Sequence, residues 1–275
     1  NEPNYRTSEL LPEYWSEVKS KLADPVYDKE GILWLAFRDF QSAVYYNGFY
    51  DKKKNELCLS QARSADQLRH FLKQHGQPVG DFIPDWDLVF EPGNDTIVNI
   101  EKRRINMFQP SKFMRKKPKH VTVMPPTIRK VMLNMLGNSE ECLDHMANWL
   151  AVIIQYRCMT QTCWVAHGIE GTGKGLFVNK ILRPIFGHSY VVTKRMRELD
   201  STFNGYMEYA LILAIDEVEL TAMKNSNVIN ADLKNYITEP VISIRNMHQG
   251  ARQAPNFVNI LMQSNMSHVT FISET

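Results

Sequence analysis

A glycine-rich loop carries the strongest chemical signal in this sequence. Residues 168–175 read GIEGTGKG and stand between the apolar run 163–166 and a helical pattern over residues 176–183. Glycines let a backbone wrap closely around an anion, and the N–H groups of such a loop and of the following helix attract phosphate. The pattern predicts a phosphate-binding loop in which Lys174 reaches the terminal phosphates of a nucleotide. The contact residues we expect are Gly168, Gly171, Thr172, Gly173, Lys174 and Gly175.

The residue after the lysine departs from the usual form of such loops. A Ser or Thr normally stands there and binds Mg²⁺ through its hydroxyl, whereas this sequence has Gly175. The metal must therefore depend on phosphate oxygens, water and an acid from elsewhere in the chain.

Two adjacent carboxylates supply that acid. Asp216 and Glu217 follow the apolar run 209–215, and open α/β sheets bind ligands at the carboxyl ends of their strands. We expect Asp216 to hold Mg²⁺ through water and Glu217 to orient and deprotonate an attacking water. A third strand pattern, over residues 257–265, ends at Asn265. Its amide can contact the γ-phosphate and the water, although a turn-forming Asn is the local alternative.

A polar, basic hairpin is predicted between the second and third of these strands. Arg245, His248 and Arg252 are its candidate contacts with nucleic-acid phosphates, and an ordinary charged hairpin is the alternative. The connector before residue 120 is denser in charge, with eight Lys or Arg residues and no acid between positions 102 and 119. Such a patch suggests an anionic partner as well.

Composition narrows the class of protein. The 275 residues are 44% hydrophobic and 23% charged, as in globular proteins. The longest apolar run, residues 209–215, is too short to cross a bilayer, and four cysteines without regular spacing indicate a reduced protein in the cytoplasm, of the host cell if the source is viral. Cys158, Cys163 and His167 are expected to be core residues rather than zinc ligands, since alternate side chains of a strand point apart.

The chain is predicted to divide near residue 125. Residues 1–125 are expected to be mainly helical, with helices over 11–22 and 64–76, a short β element at 96–100 and 104–108, and an ambiguous strand pattern at 32–37. Beyond Pro125 and Pro126, helical patterns cover 127–136 and 139–157. From residue 162 onward, the alternation of strands and helices is typical of an α/β nucleotide-binding domain.

Taken in order, four segments resemble the motifs of a known family. GIEGTGKG, LILAIDEVE, LKNYITEPVISIRNMHQGAR and FVNILMQSN are similar to motifs A, B, B′ and C of superfamily 3 helicases. The likeness covers residues 126–275 and is strongest to phage, plasmid and poxvirus-type primase-helicases. The chain also resembles the C-terminal part of a primase-polymerase of the deep-sea vent phage kind.

The resemblance implies an AAA+-like P-loop core with a central parallel sheet, which hydrolyses ATP with Mg²⁺. It further implies hexameric rings that draw single-stranded DNA through their centre. By position, Lys174 resembles the motif A lysine, Asp216 and Glu217 the motif B acids, and Asn265 the sensor residue, with residues 245–252 as the channel loop. We therefore expect an ATP-dependent helicase or translocase of phage or plasmid DNA replication, fused to an upstream primase or polymerase module, with residues 1–125 as a collar or linker.

Two other functions stay open. A ring-forming, nucleic-acid-binding oligomerisation module with a weak ATP site is favoured by Gly175 and by the end of the chain at Thr275, before the arginine finger that the family normally carries. A small-molecule P-loop kinase needs a lid with clustered arginines, to which Arg195 and Arg197 bear only a slight likeness.

Overall fold

The computed structural model describes residues 25–80, 82–115, 123–218, 226–247 and 250–265. The chain forms two compact units, Asn1–Gln109 and Pro110–Thr275. The division thus falls earlier than the cut predicted near residue 125. Ser111 donates a hydrogen bond of 2.5 Å to the carbonyl of Ile185, so the described beginning of the basic connector packs within the second unit.

The first unit is built on a six-stranded mixed sheet with the strand order β3-β2-β1-β4-β6-β5. Strands β1, β2 and β3 pair antiparallel, whereas β4 runs parallel to both β1 and β6. The elements are β1 Ile32–Asp39, β2 Tyr45–Asp51, β3 Glu56–Ala62, α1 Ala65–Gln74, β4 Asp85–Val89, β5 Val98–Asn99 and β6 Arg104–Asn106.

The prediction of a mainly helical first unit is wrong for its described part. Strand β1 is buried on both faces, because Leu35 packs in one apolar cluster and Ala36 in another, with Leu68 of α1. A strand buried on both sides lacks clean alternation and cannot be told from a helix by periodicity. Helix α1 confirms the pattern at 64–76, with the side chain of Ser64 as its N-cap. The helix predicted over 11–22 lies outside the described residues.

The second unit begins with helices. The described elements before the first site strand are α2 Lys112–Arg115, α3 Pro126–Met135 and α4 Glu140–Tyr156. Both longer helices confirm the predictions at 127–136 and 139–157. The next are β7 Cys163–His167, α5 Lys174–Leu176, a π-helical segment Phe177–Leu182, α6 Arg183–Phe186, β8 Val191–Arg195 and β9 Ile212–Asp216. The last are α7 Ser226–Thr238, β10 Val241–Ile244, β11 Arg252–Pro255 and β12 Asn259–Ser264.

A parallel four-stranded sheet forms the centre of the second unit, in the order β7-β12-β9-β8. The mixed α/β class and the central parallel sheet are therefore confirmed. Strand β9 reads as an uninterrupted apolar run because both of its faces are covered, and Ile212, Leu213, Ala214 and Ile215 are fully buried. Since β12 lies between β7 and β9, its carboxyl end separates the glycine loop from the two carboxylates.

The opposite edge of the sheet is tied together by Asn259, which is 1% exposed. Its Oδ1 accepts hydrogen bonds from the backbone N–H and the hydroxyl of Thr160, at 2.8 and 2.9 Å. Its Nδ2 donates to the carbonyls of Cys158 and Leu211, at 3.1 and 3.2 Å. One buried amide thereby fixes the start of β12 to the segments that enter β7 and β9.

No helix in the described ranges is long and apolar enough to span a membrane.

We predict that Asn259→Ala lowers the free energy of unfolding by about 2–4 kcal/mol, because buried backbone groups of two segments lose their partners. Urea denaturation followed by circular dichroism measures the change. Gln161→Ala is the control, since the exposed Gln161 makes one 3.3 Å bond to the carbonyl of Thr238 at the same edge. Equal stability of the two variants would contradict the role of Asn259.

Candidate functional site

The glycine loop connects β7 to α5 and has the backbone that only glycine adopts readily. Gly171 and Gly173 have φ values of +81° and +99°, in the left-handed region. No heavy atom lies within 4 Å of a Cβ built on Gly171, so the loop faces open space there. The loop is held by Gly168, whose N–H donates to the Ser264 carbonyl at 3.1 Å, and by Asn134 of α3, whose Nδ2 donates to the Thr172 carbonyl at 2.9 Å.

The ammonium group of Lys174 lies on the loop itself. Nζ donates to the carbonyls of Gly168 and Ile169 at 2.7 and 3.0 Å and lies 3.4 Å from the Thr172 hydroxyl. The Lys174 carbonyl accepts a 2.9 Å hydrogen bond from Nε2 of Gln263 on β12. The main chain of Lys174 is therefore fixed by Gln263. Its ammonium group contacts loop carbonyls, which a bound phosphate would replace as its partners.

The position after the lysine lies in regular helix and is sterically open. A Cβ on Gly175 would meet no heavy atom within 4 Å. The Gly175 carbonyl accepts from Nδ2 of Asn179 at 2.9 Å, and Asn179 in turn accepts from Arg183 at 2.7 Å. Arg183 also donates to the Thr193 hydroxyl of β8 at 3.1 Å. These side chains join the helical segment to β8, and no hydroxyl occupies the usual metal-binding position.

The two carboxylates stand in a tight turn at the end of β9. Glu217 is a non-glycine residue with a φ of +55°, and such outliers are concentrated at functional sites. Its N–H donates to Oδ1 of Asp216 at 3.0 Å. Strand β12 then closes the turn, because the Val218 N–H donates to the Gln263 carbonyl at 3.1 Å and the Ser264 hydroxyl donates to the Val218 carbonyl at 2.9 Å.

Arg195 is a neighbour of these carboxylates that the sequence pattern did not identify in this role. It ends β8 opposite Asp216 in the strand register, and its Nε lies 3.5 Å from Oε2 of Glu217. The sequence offered no signal for this pair, because only the parallel alignment of β8 and β9 brings the two side chains together.

Asn265 lies at the loop, as expected for a residue that follows β12. Its Nδ2 is 3.4 Å from Oε1 of Glu170. Three predicted segments thus meet at one edge of the sheet: the loop after β7, the carboxylates after β9 and the amide after β12. Arg245 and Arg252 of the predicted hairpin bond instead to Asn204 and Glu208.

A cleft of about 580 Å³ opens between the glycine loop and helix α3. Arg129, Lys130 and Asn134 contribute polar groups to it, and Val131, Leu133 and Leu176 contribute apolar surface. Mostly apolar clefts with a few polar groups, in the size range of this one, are typical of small-molecule sites. Sequence reasoning predicted α3 but gave it no role in binding.

The predicted hairpin forms from β10 and β11, which pair antiparallel. Arg245 is exposed at the beginning of its tip, whereas Arg252 makes an ion pair with Glu208. His248 lies outside the described residues. Phe203 and Met247 are 41% and 64% exposed, and Asn204, which follows Phe203, hydrogen-bonds to the backbone of Arg245. An exposed aromatic residue therefore precedes the residue that bonds to the start of the basic tip, and the sequence alone gave no signal for this.

The prediction that Cys158, Cys163 and His167 are core residues is only partly right, because β7 is an edge strand in which Cys163 is half-buried and His167 is exposed. Burial raises the pKa of the Cys163 thiol to about 12, so the thiol stays protonated at neutral pH and is a poor metal ligand. Within the described ranges, no group of three or more His, Cys, Asp or Glu side chains is arranged to hold a metal ion.

Comparison with known proteins identifies related chains. A family described as a family of unknown function (DUF5906) matches residues 166–275. The DNA primase-polymerase of Nitratiruptor phage NrS-1 is 33% identical over 217 residues, which cover 78% of this chain and 30% of that protein. The predicted likeness to a phage primase-polymerase is confirmed. Similarity to a phage replication protein follows from this match, whereas helicase activity stays a prediction.

Solved structures of the C-terminal region of the NrS-1 protein share the fold. One apo structure aligns with a TM-score of 0.73 and 26% identity, over 89% of this chain and 57% of that one. A second structure, the A form apo structure of the same region, aligns with a TM-score of 0.68 and 25% identity, over 93% of this chain and 56% of that one. The chain therefore spans less than a third of the curated relative and little more than half of the solved region.

We predict that Lys174→Ala weakens nucleotide binding at least about tenfold, which is about 1.4 kcal/mol, because the phosphates lose their cation. Thermal stability should be unchanged, since Nζ contacts only the loop. Titration with a fluorescent ATP analogue measures the affinity. Lys180→Ala is the matched control on the exposed face of the same helical segment. Wild-type affinity in Lys174→Ala would show that the loop is not the phosphate site.

Proposed function

We propose that residues 110–275 are an AAA+-like P-loop ATPase of the superfamily 3 helicase type, which translocates on single-stranded DNA during phage DNA replication. The observation that carries the proposal is the meeting of Lys174, Asp216, Glu217 and Asn265 at one edge of a parallel sheet, with β12 between the loop and the acids. A nucleotide bound at this edge would have its phosphates on the loop, with Glu217 within reach as the general base. The similarity to a phage primase-polymerase supports the biological setting.

Each residue at the edge has a chemical task in the proposal. The N–H groups of residues 171–174 bind the β- and γ-phosphates, and Lys174 exchanges its carbonyl contacts for phosphate oxygens. Glu217 takes the proton of the attacking water, and Asn265 holds that water against the γ-phosphate. Arg195, whose Nε lies 3.5 Å from Oε2 of Glu217, orients this carboxylate at the end of β9.

Mg²⁺ fits this site through Asp216, an exposed carboxylate at the strand end, and through phosphate oxygens. Bound there, the ion would neutralise charge on the phosphates. Gly175 supplies no hydroxyl, so the protein contributes fewer direct ligands than most phosphate-binding loops do.

The cleft beside α3 would take the base and ribose. It adjoins Gly171 and Gly173, so a nucleotide with its phosphates on the loop extends directly into it. Val131 and Leu133 can contact the faces of a heteroaromatic ring, and Asn134, which already orients the loop through Thr172, can contact its edge.

The hairpin tip would hold the single strand. Arg245 offers a cation for a backbone phosphate, and Phe203 offers a ring on which a base can stack, the two features that single-strand grooves combine. His248 is the third proposed contact. A hexameric ring, with an upstream primase or polymerase module in the same chain and the host cytoplasm as its location, completes the proposal and comes from the resemblance.

A second function has a specific observation in its favour. A ring-forming DNA-binding module with a weak ATP site would explain why no hydroxyl follows Lys174 and why Nζ is satisfied by loop carbonyls. In that case nucleotide binding would be weak and hydrolysis absent, while DNA binding would persist.

We predict that Glu217→Gln lowers ATP turnover by about 10²–10⁴-fold, because the water loses its base, with ATP affinity within about twofold of wild type. Phosphate release and nucleotide titration measure the two quantities. Glu239→Gln, an exposed carboxylate beyond α7, is the control. Turnover by the wild-type chain no higher than by Lys174→Ala would instead favour the second function.

We further predict that Arg245 and Phe203 contribute to single-stranded DNA binding in different ways, Arg245 through its charge and Phe203 through stacking. Arg245→Ala should reduce the salt slope of single-stranded DNA binding by about 0.7, the value for one phosphate contact. Phe203→Ala should leave the slope unchanged and cost about 1–3 kcal/mol, the range for one stacked base. Fluorescence anisotropy over a series of salt concentrations measures both.

Neutralising Lys116 and Lys117 of the connector should lower the slope without affecting DNA stimulation of the ATPase. Loss of stimulation in that variant would contradict the hairpin assignment.

A further inference from the structure

The hairpin is held at its tip end by a short segment that the sequence analysis did not single out. We call residues 204–208 the anchor turn; its centre is the 3₁₀ helix Gly205–Met207. Asn204 bonds to the end of β10 in three ways. Its N–H donates to the Arg245 carbonyl at 3.2 Å, its Oδ1 accepts from the Arg245 N–H at 2.8 Å, and its Nδ2 donates to the Ser243 carbonyl at 2.8 Å.

The other end of the anchor turn holds the second strand of the hairpin. Glu208 forms an ion pair with Arg252 at the start of β11, and their side chains are 9% and 27% exposed. A carboxylate buried to this degree is unstable without its counterion, so the two side chains stay together in the folded protein. Arg252 is thus engaged by the protein itself. Asn204 and Glu208 between them fasten both strands of the hairpin.

The anchor turn also leads directly into β9, the strand that ends at Asp216 and is followed by Glu217. The Leu211 N–H donates to the Tyr190 carbonyl at 2.9 Å, which fixes the beginning of β9, and β9 then runs without interruption from Ile212 to Asp216. Lys194 of β8 lies 4.8 Å from the ring centre of Tyr206, in the middle of the turn. One continuous segment therefore contacts the hairpin at one end and bears Asp216 and Glu217 at the other.

A separate attachment holds the base of the hairpin. Nδ2 of Asn256 donates to the carbonyls of Tyr236 and Glu239 at the end of α7, both at 2.8 Å. The end of α7 therefore adds a second attachment for the hairpin, and the Tyr236 hydroxyl also lies 3.5 Å from Nδ2 of Asn204. Loosening the turn should free the tip without unfolding the hairpin.

We propose that Asn204 and Glu208 are positioning residues that couple the nucleotide site to the DNA-binding hairpin. The inference rests on the proposed function, since it needs a nucleotide at the sheet edge and a strand at the hairpin tip. A change in the position of Asp216 and Glu217 on nucleotide binding is passed along β9 to the anchor turn, and from there to Arg245 and Phe203. Arg252 takes part in this connection as the counterion of Glu208.

Coupling can be measured without hydrolysis, because two linked ligands change each other's affinity by the same factor. The experiment uses the full 275-residue chain and a labelled deoxythymidine oligonucleotide, with and without a non-hydrolysable ATP analogue and Mg²⁺. We expect the analogue to change DNA affinity of the wild type by about fivefold or more. Asn204→Ala and Glu208→Gln should bring the ratio to about one, with the affinity for each ligand alone within about threefold of wild type.

Glu239→Gln is the matched control, since this exposed carboxylate lies beyond α7, outside the anchor turn, and the variant should keep the wild-type ratio. Hydrogen exchange gives a second readout: the amides of β10 and β11 should exchange faster in the variants, and those of β9 and β12 should not. If Glu208→Gln fails to fold, Asn204→Ala decides, because Asn204 is a half-buried turn residue.

The outcomes separate the two proposals. A wild-type chain that does not bind the analogue or the oligonucleotide overturns the proposed function and the coupling together. A wild type that binds both with a ratio of one, or variants that keep the wild-type ratio, overturns the coupling alone.

Discussion

The arrangement of the site depends on two buried polar residues at the end of β12. Gln263 and Ser264 are each 2% exposed. They bond through their side chains and main chains to Gly168 and Lys174 on one side and to Val218 on the other. Buried polar groups must be paired, so these bonds act as a fixed spacer between the glycine loop and the carboxylates. The glycine loop and the turn after β9 therefore take their positions from that spacer.

This edge of the four-stranded sheet is held more firmly than the hairpin is. The loop and the acid turn store unusual backbone conformations at Gly171, Gly173 and Glu217, which the surrounding bonds hold in place. The hairpin, by contrast, is a two-stranded ribbon outside the four-stranded sheet. Ribbons of two strands are marginally stable by themselves, so their position depends on what they contact. The anchor turn and α7 are those contacts, and the anchor turn is joined through β9 to the turn that carries Asp216 and Glu217.

Gly175 is where the glycine loop departs furthest from the usual form of a phosphate-binding loop. Nothing steric requires glycine there, because the position is helical and open. A helical glycine costs about 1 kcal/mol relative to alanine. The neighbouring polar groups Asn179, Arg183 and Thr193 lead away from the loop toward β8 and do not replace the missing hydroxyl. The proposed ATP site therefore depends on Asp216, water and the phosphates themselves to hold its metal.

The sequence by itself determined the local elements of the second unit and named the candidate site residues. Strand β9, helices α3 and α4 and the loop from Gly168 to Gly175 follow from periodicity, capping and glycine placement, which are properties of neighbouring residues. Only the tertiary structure decided the order of the strands, the pairing of Arg195 with Glu217 and of Arg252 with Glu208, and the bonds of Asn204 to Arg245, because all of these depend on contacts between distant segments. The six-stranded sheet of the first unit was missed for a related reason. A strand such as β1, covered on both faces by other parts of the chain, carries no period of its own, and the layers that cover it exist only after folding.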